Sequence, residues 1–207
     1  LDYGIEFKWS SSDPPPVDGP LTIEAWSDSS FADDVDTART TIGNVIKVNG
    51  ATVSATSKLS PRVDSCVNHS ELRAFSDAVA VQDQPTDGAS YALLATSRSV
   101  VWARGIKAAL ERRDEASVPA TPVNVDNSGV FSMLGDITLK AANKHIFRTL
   151  AENRERVNLD HTVVPVKVDT KDNLANAMTK QEPGLRESAA QLREIAGPPS
   201  VCPGQTP

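Results

Sequence analysis

Three acids fall where chemistry can use them. Asp28 follows the stretch LTIEAWS, Glu71 lies near the start of a helical run in NHSELRAF, and Asp126 closes the strand-like segment TPVNVDN. Each has an ordinary role at hand: a turn residue, a helix-start charge favoured by the dipole, a strand-to-helix cap. Their joint placement says more. In an α/β sheet, acids at strand ends converge on one edge, where they repel one another unless cations bind. Hard oxygen ligands suit Mg²⁺, which keeps octahedral geometry and some of its waters. Two such ions about 4 Å apart can activate a water and stabilise the leaving oxygen in phosphodiester cleavage. Other chemistries lack material: the chain has no P-loop, no GxSxG elbow, no HExxH and no CxxC pair. Only His69, His145 and His161 are on hand for a zinc site or a histidine-based triad.

The elements that must hold these acids are legible in order. Residues 21–27, 41–49 and 51–57 read as strands, the last two joined by a turn at Asn49-Gly50, a strong hairpin signal. A helix is expected over 69–82, broken by QDQPTDG. The run ASYALLATSRSVVWARGIKAALERR reads as a long second helix, with Leu93, Leu94, Val100, Val101, Ile106 and Leu110 available for burial. TPVNVDN is a short buried strand. A helix over 138–156, a strand over 162–168 and a helix over 173–180 follow, then LRESAAQLREIAG. The last of these helices has Asp172 as its expected cap, Leu174, Ala175, Ala177 and Met178 as its apolar side, and an awkward amide at Asn176. Three strands, then alternating helices and strands, predict a mixed α/β fold with one central sheet.

Composition narrows the setting. The 207 residues carry a net charge of -6, which argues against a generic nucleic-acid coat but not against an acidic centre beside a local basic face. Such a face is offered by Lys140, Lys144, His145, Arg148, Arg154 and Arg156, opposed by Glu152 and Glu155; a solvated helix face is the ordinary reading of that segment. Residues 10–20 and 197–207 are Pro-rich and read as irregular. No run is long and apolar enough to span a membrane, and no secretory signal is seen. Two distant cysteines, Cys66 and Cys202, make no disulfide framework, so an intracellular setting is expected.

A family resemblance rests on five segments in order. WSDSSFADDVDTARTTIGNVI resembles the S-D-A-D-W-A-G-D…R-x-S-T-S-G-Y segment of the ribonuclease H domain in copia-type (Pseudoviridae) retrotransposon Pol polyproteins. SATSKLSPRVDSCVNHSELRA resembles that family's S-W-x-S-K-K-Q-x-x-V-x-x-S-S-T-E-A-E-Y-x-A. VDNSG resembles C-D-N-Q-S, NKHI resembles T-K-H-I, and VPVKVDTKDNLANAMTK resembles V-P-T-K-D-Q-L-A-D-I-F-T-K. LDYGIEF looks like the strand closing the preceding reverse-transcriptase region. The likeness runs over about residues 2 to 180.

The resemblance implies a ribonuclease H-like fold: a central five-stranded mixed sheet, three antiparallel strands and then two parallel ones, flanked by helices. It implies hydrolysis of the RNA strand of an RNA–DNA hybrid by two-metal-ion chemistry, with Mg²⁺ or Mn²⁺ as cofactor. The family's first three acids match Asp28, Glu71 and Asp126, and its fourth matches Asn176. Asn68 and Ser128 match positions that touch the hybrid in relatives, and Lys144 and His145 lie in the T-K-H-I match, toward the nucleic acid. The implied layout is a tail of the reverse-transcriptase connection with a linker over 1–20, the domain over 21–196 with a loop insertion near 83–98, and a tail over 197–207. The hybrid and the polyprotein's reverse-transcriptase region are the implied partners, in the cytoplasm (within a virus-like particle) or the nucleus, with no membrane. Asn176 leaves two readings open. An amide oxygen binds metal more weakly than a carboxylate, so the site is either a slowed nuclease or a non-catalytic module kept for structure or protein partners.

Overall fold

The computed structural model describes residues 20–61, 63–64, 66–79, 100–135, 147–180 and 186–197. Five strands form one sheet: β1 Ile23–Ser30, β2 Thr41–Val48, β3 Ala51–Leu59, β4 Thr121–Val125 and β5 Val163–Lys167. Their order across the sheet is β3-β2-β1-β4-β5. The first three pair antiparallel, while β4 runs parallel to β1 and β5 parallel to β4. This is the ribonuclease H-like sheet expected above.

Local chemistry explains the strands. Asn49 and Gly50 both take positive φ, the conformation that a tight hairpin turn of this type demands, and the Asn49 side-chain oxygen accepts the Thr22 N–H at 2.7 Å. β4 alternates buried and half-buried residues along TPVNV, with Val123 and Val125 inward. β1 is the middle strand and is buried on both faces from Ala25 to Asp28, so Trp26 and Asp28 have no solvent side. Odd-numbered Ile23 and Ala25 join Ile46, Leu72, Phe75, Val123 and Val130 in the larger core; Trp26 and Val45 pack on the opposite face with Leu174 and Ala175.

The helices are α1 Val67–Val79, α2 Val100–Leu110, α3 Ser128–Gly135, α4 Phe147–Asn158, α5 Asn176–Thr179 and α6 Arg186–Ala196. Several differ from expectation. α2 stops at Leu110 rather than running on through Arg113: Arg112 turns left-handed and the Arg113 N–H closes back on the Ala108 carbonyl. α3 was not anticipated, since its residues SGVFSMLG are mediocre helix formers; burial of Val130 and Leu134 and a cap from Asn127 hold it. The helix expected over 173–180 is one turn only. It follows a separate 3₁₀ turn at Thr170–Asp172 and begins after Ala175, so Asp172 does not cap it. The organising amide there is Asn173, whose Oδ1 accepts the Ala175 N–H while its Nδ2 donates to the Ser27 carbonyl of β1.

Other expectations lie outside the described residues: the first half of the long second helix, including Leu93 and Leu94; the insertion over 83–98; the start of the basic helix with Lys140, Lys144 and His145; and the terminal segments 1–19 and 198–207. Among the described residues no helix is long and apolar enough to cross a membrane.

The α1 packing makes a simple prediction. Phe75 is fully buried between helix and sheet, so Phe75→Ala should cost about 3–5 kcal/mol of stability, read from the urea unfolding midpoint. A loss below about 1 kcal/mol would mean that α1 does not seal the core as described.

Candidate metal centre

The register of the parallel pair sets the site. Ala25 lies level with Val123 and Trp26 with Asn124. Continued to the strand ends, the same register brings Asp28 level with Asp126. α1 packs across β1 and β2, and its second turn delivers Glu71 to the same edge. One carboxylate oxygen from each of Asp28, Glu71 and Asp126 lies within 4.8 Å of the others. Beside Asp126, Asn127 takes the cap of α3, accepting the Val130 N–H at 3.0 Å.

The environment disfavours three bare charges. Asp28 is 4% exposed and Glu71 9%. Burial pushes the Asp28 carboxyl up to about 6; Asp126 adds to the rise, while the Thr179 hydroxyl, Lys180 and the Ser29 N–H oppose it. Burial pushes Glu71 further, to about 9, with the charges of Asp28 and Asp126 adding and Ser29 opposing through its hydroxyl and its N–H. Lys167 at the end of β5 directs its ammonium to the backbone carbonyls of Asp126 and Val168. An all-carboxylate donor set, closely spaced and short of positive charge, fits a hard divalent cation such as Mg²⁺ or Mn²⁺.

The remaining sequence-predicted residues fall as follows. Asn176 is 6% exposed at the start of α5, and its amide nitrogen donates to the Thr170 carbonyl. Asn68 is half-buried in the first turn of α1, with its side-chain oxygen against Gly129 in α3; a Cβ on that glycine would sit 2.6 Å away. Ser128 is exposed at the start of α3. Thr179 was not singled out from the sequence, yet its hydroxyl donates to Asp28 Oδ2. Its one trace in the sequence is its place, three residues beyond Asn176 within the segment NLANAMTK that matched the family's L-A-D-I-F-T-K, and that place does not name Asp28 as its partner.

No family model matches the sequence, and no curated protein matches it either. Solved structures to which the chain shows a distant likeness include ribonucleases H. LC11-RNase H1, isolated from compost by a metagenomic approach, is 14% identical with a TM-score of 0.46, covering 76% of this chain and 91% of that one. RNase H1 from the halophilic archaeon Halobacterium salinarum is 13% identical with a TM-score of 0.43, covering 76% and 93%. The N-terminal RNase H domain of a Mycobacterium tuberculosis protein is 12% identical with a TM-score of 0.42, covering 84% and 96%. LC11-RNase H1 has also been solved with an RNA/DNA hybrid. These likenesses are distant, and the fold assignment rests on strand order and direction.

The raised carboxyls have a thermodynamic consequence. Between the ordinary carboxylate range and these raised values, the metal-free folded state binds more protons than the unfolded chain. Stability from these groups is therefore present at low pH and lost as pH rises, from about 4 to about 6 for Asp28 and from 4.5 to about 9 for Glu71. Thermal melts in EDTA should show a lower Tm at pH 9 than at pH 5, and Glu71→Gln should remove most of that difference. An identical pH slope in the variant would contradict the burial of the Glu71 carboxyl beside Asp28 and Asp126.

Proposed function

We propose that this chain is a metal-dependent endoribonuclease of the ribonuclease H type, acting on the RNA strand of RNA–DNA hybrids. The observation that carries the reading is the convergence of Asp28, Glu71 and Asp126 at the end of a sheet with this topology. The ordered motif resemblance supplies the substrate class. Asp28, Glu71 and Asp126 would hold Mg²⁺ or Mn²⁺, which when bound supplies a more acidic water and neutralises charge on the scissile phosphate. Around it, the chain's own residues hold three oxygens in place and, at the rims, offer Asn68 and Ser128 for contact with the minor groove. Hydrolysis of the type proposed leaves a 3′ hydroxyl and a 5′ phosphate. Recognition would rest on helix shape and 2′-hydroxyls, and affinity on backbone phosphates. On the motif resemblance alone, Lys144 and His145 are proposed as further substrate contacts.

The wider setting is proposed on the motif resemblance alone. We infer a copia-type retrotransposon origin, with the reverse-transcriptase region of the same polyprotein as partner and a cytoplasmic (virus-like particle) or nuclear location. Residues 21–196 would be the domain, bounded by the linker over 1–20 and the tail over 197–207.

One observation favours a second reading, a non-catalytic ribonuclease H-like module kept for structure or protein partners. The Asn176 amide is engaged with the Thr170 carbonyl, so this position has a structural role without metal. The two readings separate in one assay with a labelled hybrid and Mg²⁺ or Mn²⁺. The nuclease should cleave, and Asp126→Asn should lower the rate by more than the roughly 10–100-fold typical of residues that only orient metal ligands. Full cleavage by Asp126→Asn would refute the site, and no cleavage by the folded wild type with either metal would favour the second reading. Asn176→Asp should tighten metal binding and raise the rate of a nuclease, while a structural module would show only the loss of the hydrogen bond to Thr170.

A further inference from the structure

α5 is too short to stand alone: one turn, Asn176–Thr179, with no side-chain cap at Ala175. Its neighbours fix it from three sides. Leu174 and Ala175 pack on Trp26 and Val45. Asn173 ties the preceding loop to the Ser27 carbonyl at 3.0 Å. From α6, Gln191 donates to the carbonyls of Lys171 at 2.9 Å and Asn173 at 3.1 Å. Beneath the turn lies Gly43 of β2. A Cβ on Gly43 would meet the Ala175 carbonyl oxygen at 2.7 Å, Met178 Cβ at 2.8 Å and Thr179 Cγ2 at 2.8 Å. The turn therefore rests directly on bare backbone.

Gly43 is also the cross-strand partner of Asp28. Seating the turn on Gly43 thus brings the Thr179 side chain, 2% exposed, onto the Asp28 carboxylate. The same hydroxyl lies 3.1 Å from the Asn176 carbonyl. It has one proton, and an ionised carboxylate is the stronger acceptor. We infer that Thr179 is a positioning residue that fixes the orientation of Asp28 as a metal ligand, and that Gly43 is the backbone gap that lets it approach. This rests on the metal site proposed above. Hydrogen-bonded partners of this kind orient ligands, and their loss typically weakens metal binding by about 10–100-fold.

Packing and positioning predict opposite orders for two substitutions. Thr179→Val keeps the shape and the methyl against Gly43 but removes the hydroxyl; Thr179→Ser keeps the hydroxyl and removes the methyl. Mn²⁺ affinity is measured by electron paramagnetic resonance of the free ion, with hybrid cleavage alongside and a thermal melt confirming folding. Positioning predicts that Thr179→Val weakens Mn²⁺ binding by about 10–100-fold and that Thr179→Ser stays close to wild type. Gly43→Ala should weaken binding with Thr179 intact; the Thr179 pair decides the matter whether or not that variant folds. Wild-type affinity in Thr179→Val, or a larger loss in Thr179→Ser, would overturn the inference and leave the metal site standing. A wild-type protein that binds no Mn²⁺ would overturn both.

Discussion

Three like charges held within one small volume are the constraint around which this protein is arranged. Left to themselves the carboxylates of Asp28, Glu71 and Asp126 would separate or take up protons, and Asp28 and Glu71 are pushed toward the protonated form first by burial, with Asp126 adding to both and Asp28 adding to Glu71. What keeps them together is backbone. The parallel pairing of β1 with β4 sets two acids level at the sheet edge, and the packing of Leu72 and Phe75 fixes the turn of α1 that carries Glu71. No single contact enforces the cluster; it is a by-product of strand register and helix docking, both of which are stabilised by apolar burial elsewhere.

The two faces of the sheet contribute differently. The larger core under α1, α3 and α4 supplies rigidity and Glu71. The smaller cluster of Trp26, Val45, Leu174 and Ala175 holds the short turn α5 against β1 and β2. On that face Lys47 spans Trp26 and Glu194, its ammonium 5.4 Å from the ring centroid and 2.7 Å from the carboxylate, and so joins α6 to the sheet. The three carboxylates thus sit at the edge where both layers meet, with β1 buried from Ala25 to Asp28.

Much of this was legible in the sequence, for physical reasons. The Asn49-Gly50 turn is written in two residues because few others tolerate positive φ in succession. β4 was legible as a short buried strand, and the three acids by their place at element ends. What was hidden depends on tertiary context. α3 forms despite weak propensity because Val130 and Leu134 are buried. The expected cap at Asp172 failed because the chain makes a 3₁₀ turn there and hands the helix start to Ala175. Thr179 could not be singled out by type alone: a threonine near a helix end has many ordinary roles, and only the approach of α5 to Gly43 gives this one its partner.

The central claim is that Asp28, Glu71 and Asp126 form a divalent-cation site, and anomalous diffraction from crystals soaked in Mn²⁺ tests it most directly. The account predicts an anomalous peak at the ends of β1 and β4, within bonding distance of oxygens from all three carboxylates. Ordered, metal-free carboxylates in such crystals, or a peak confined to some other part of the chain, would contradict it.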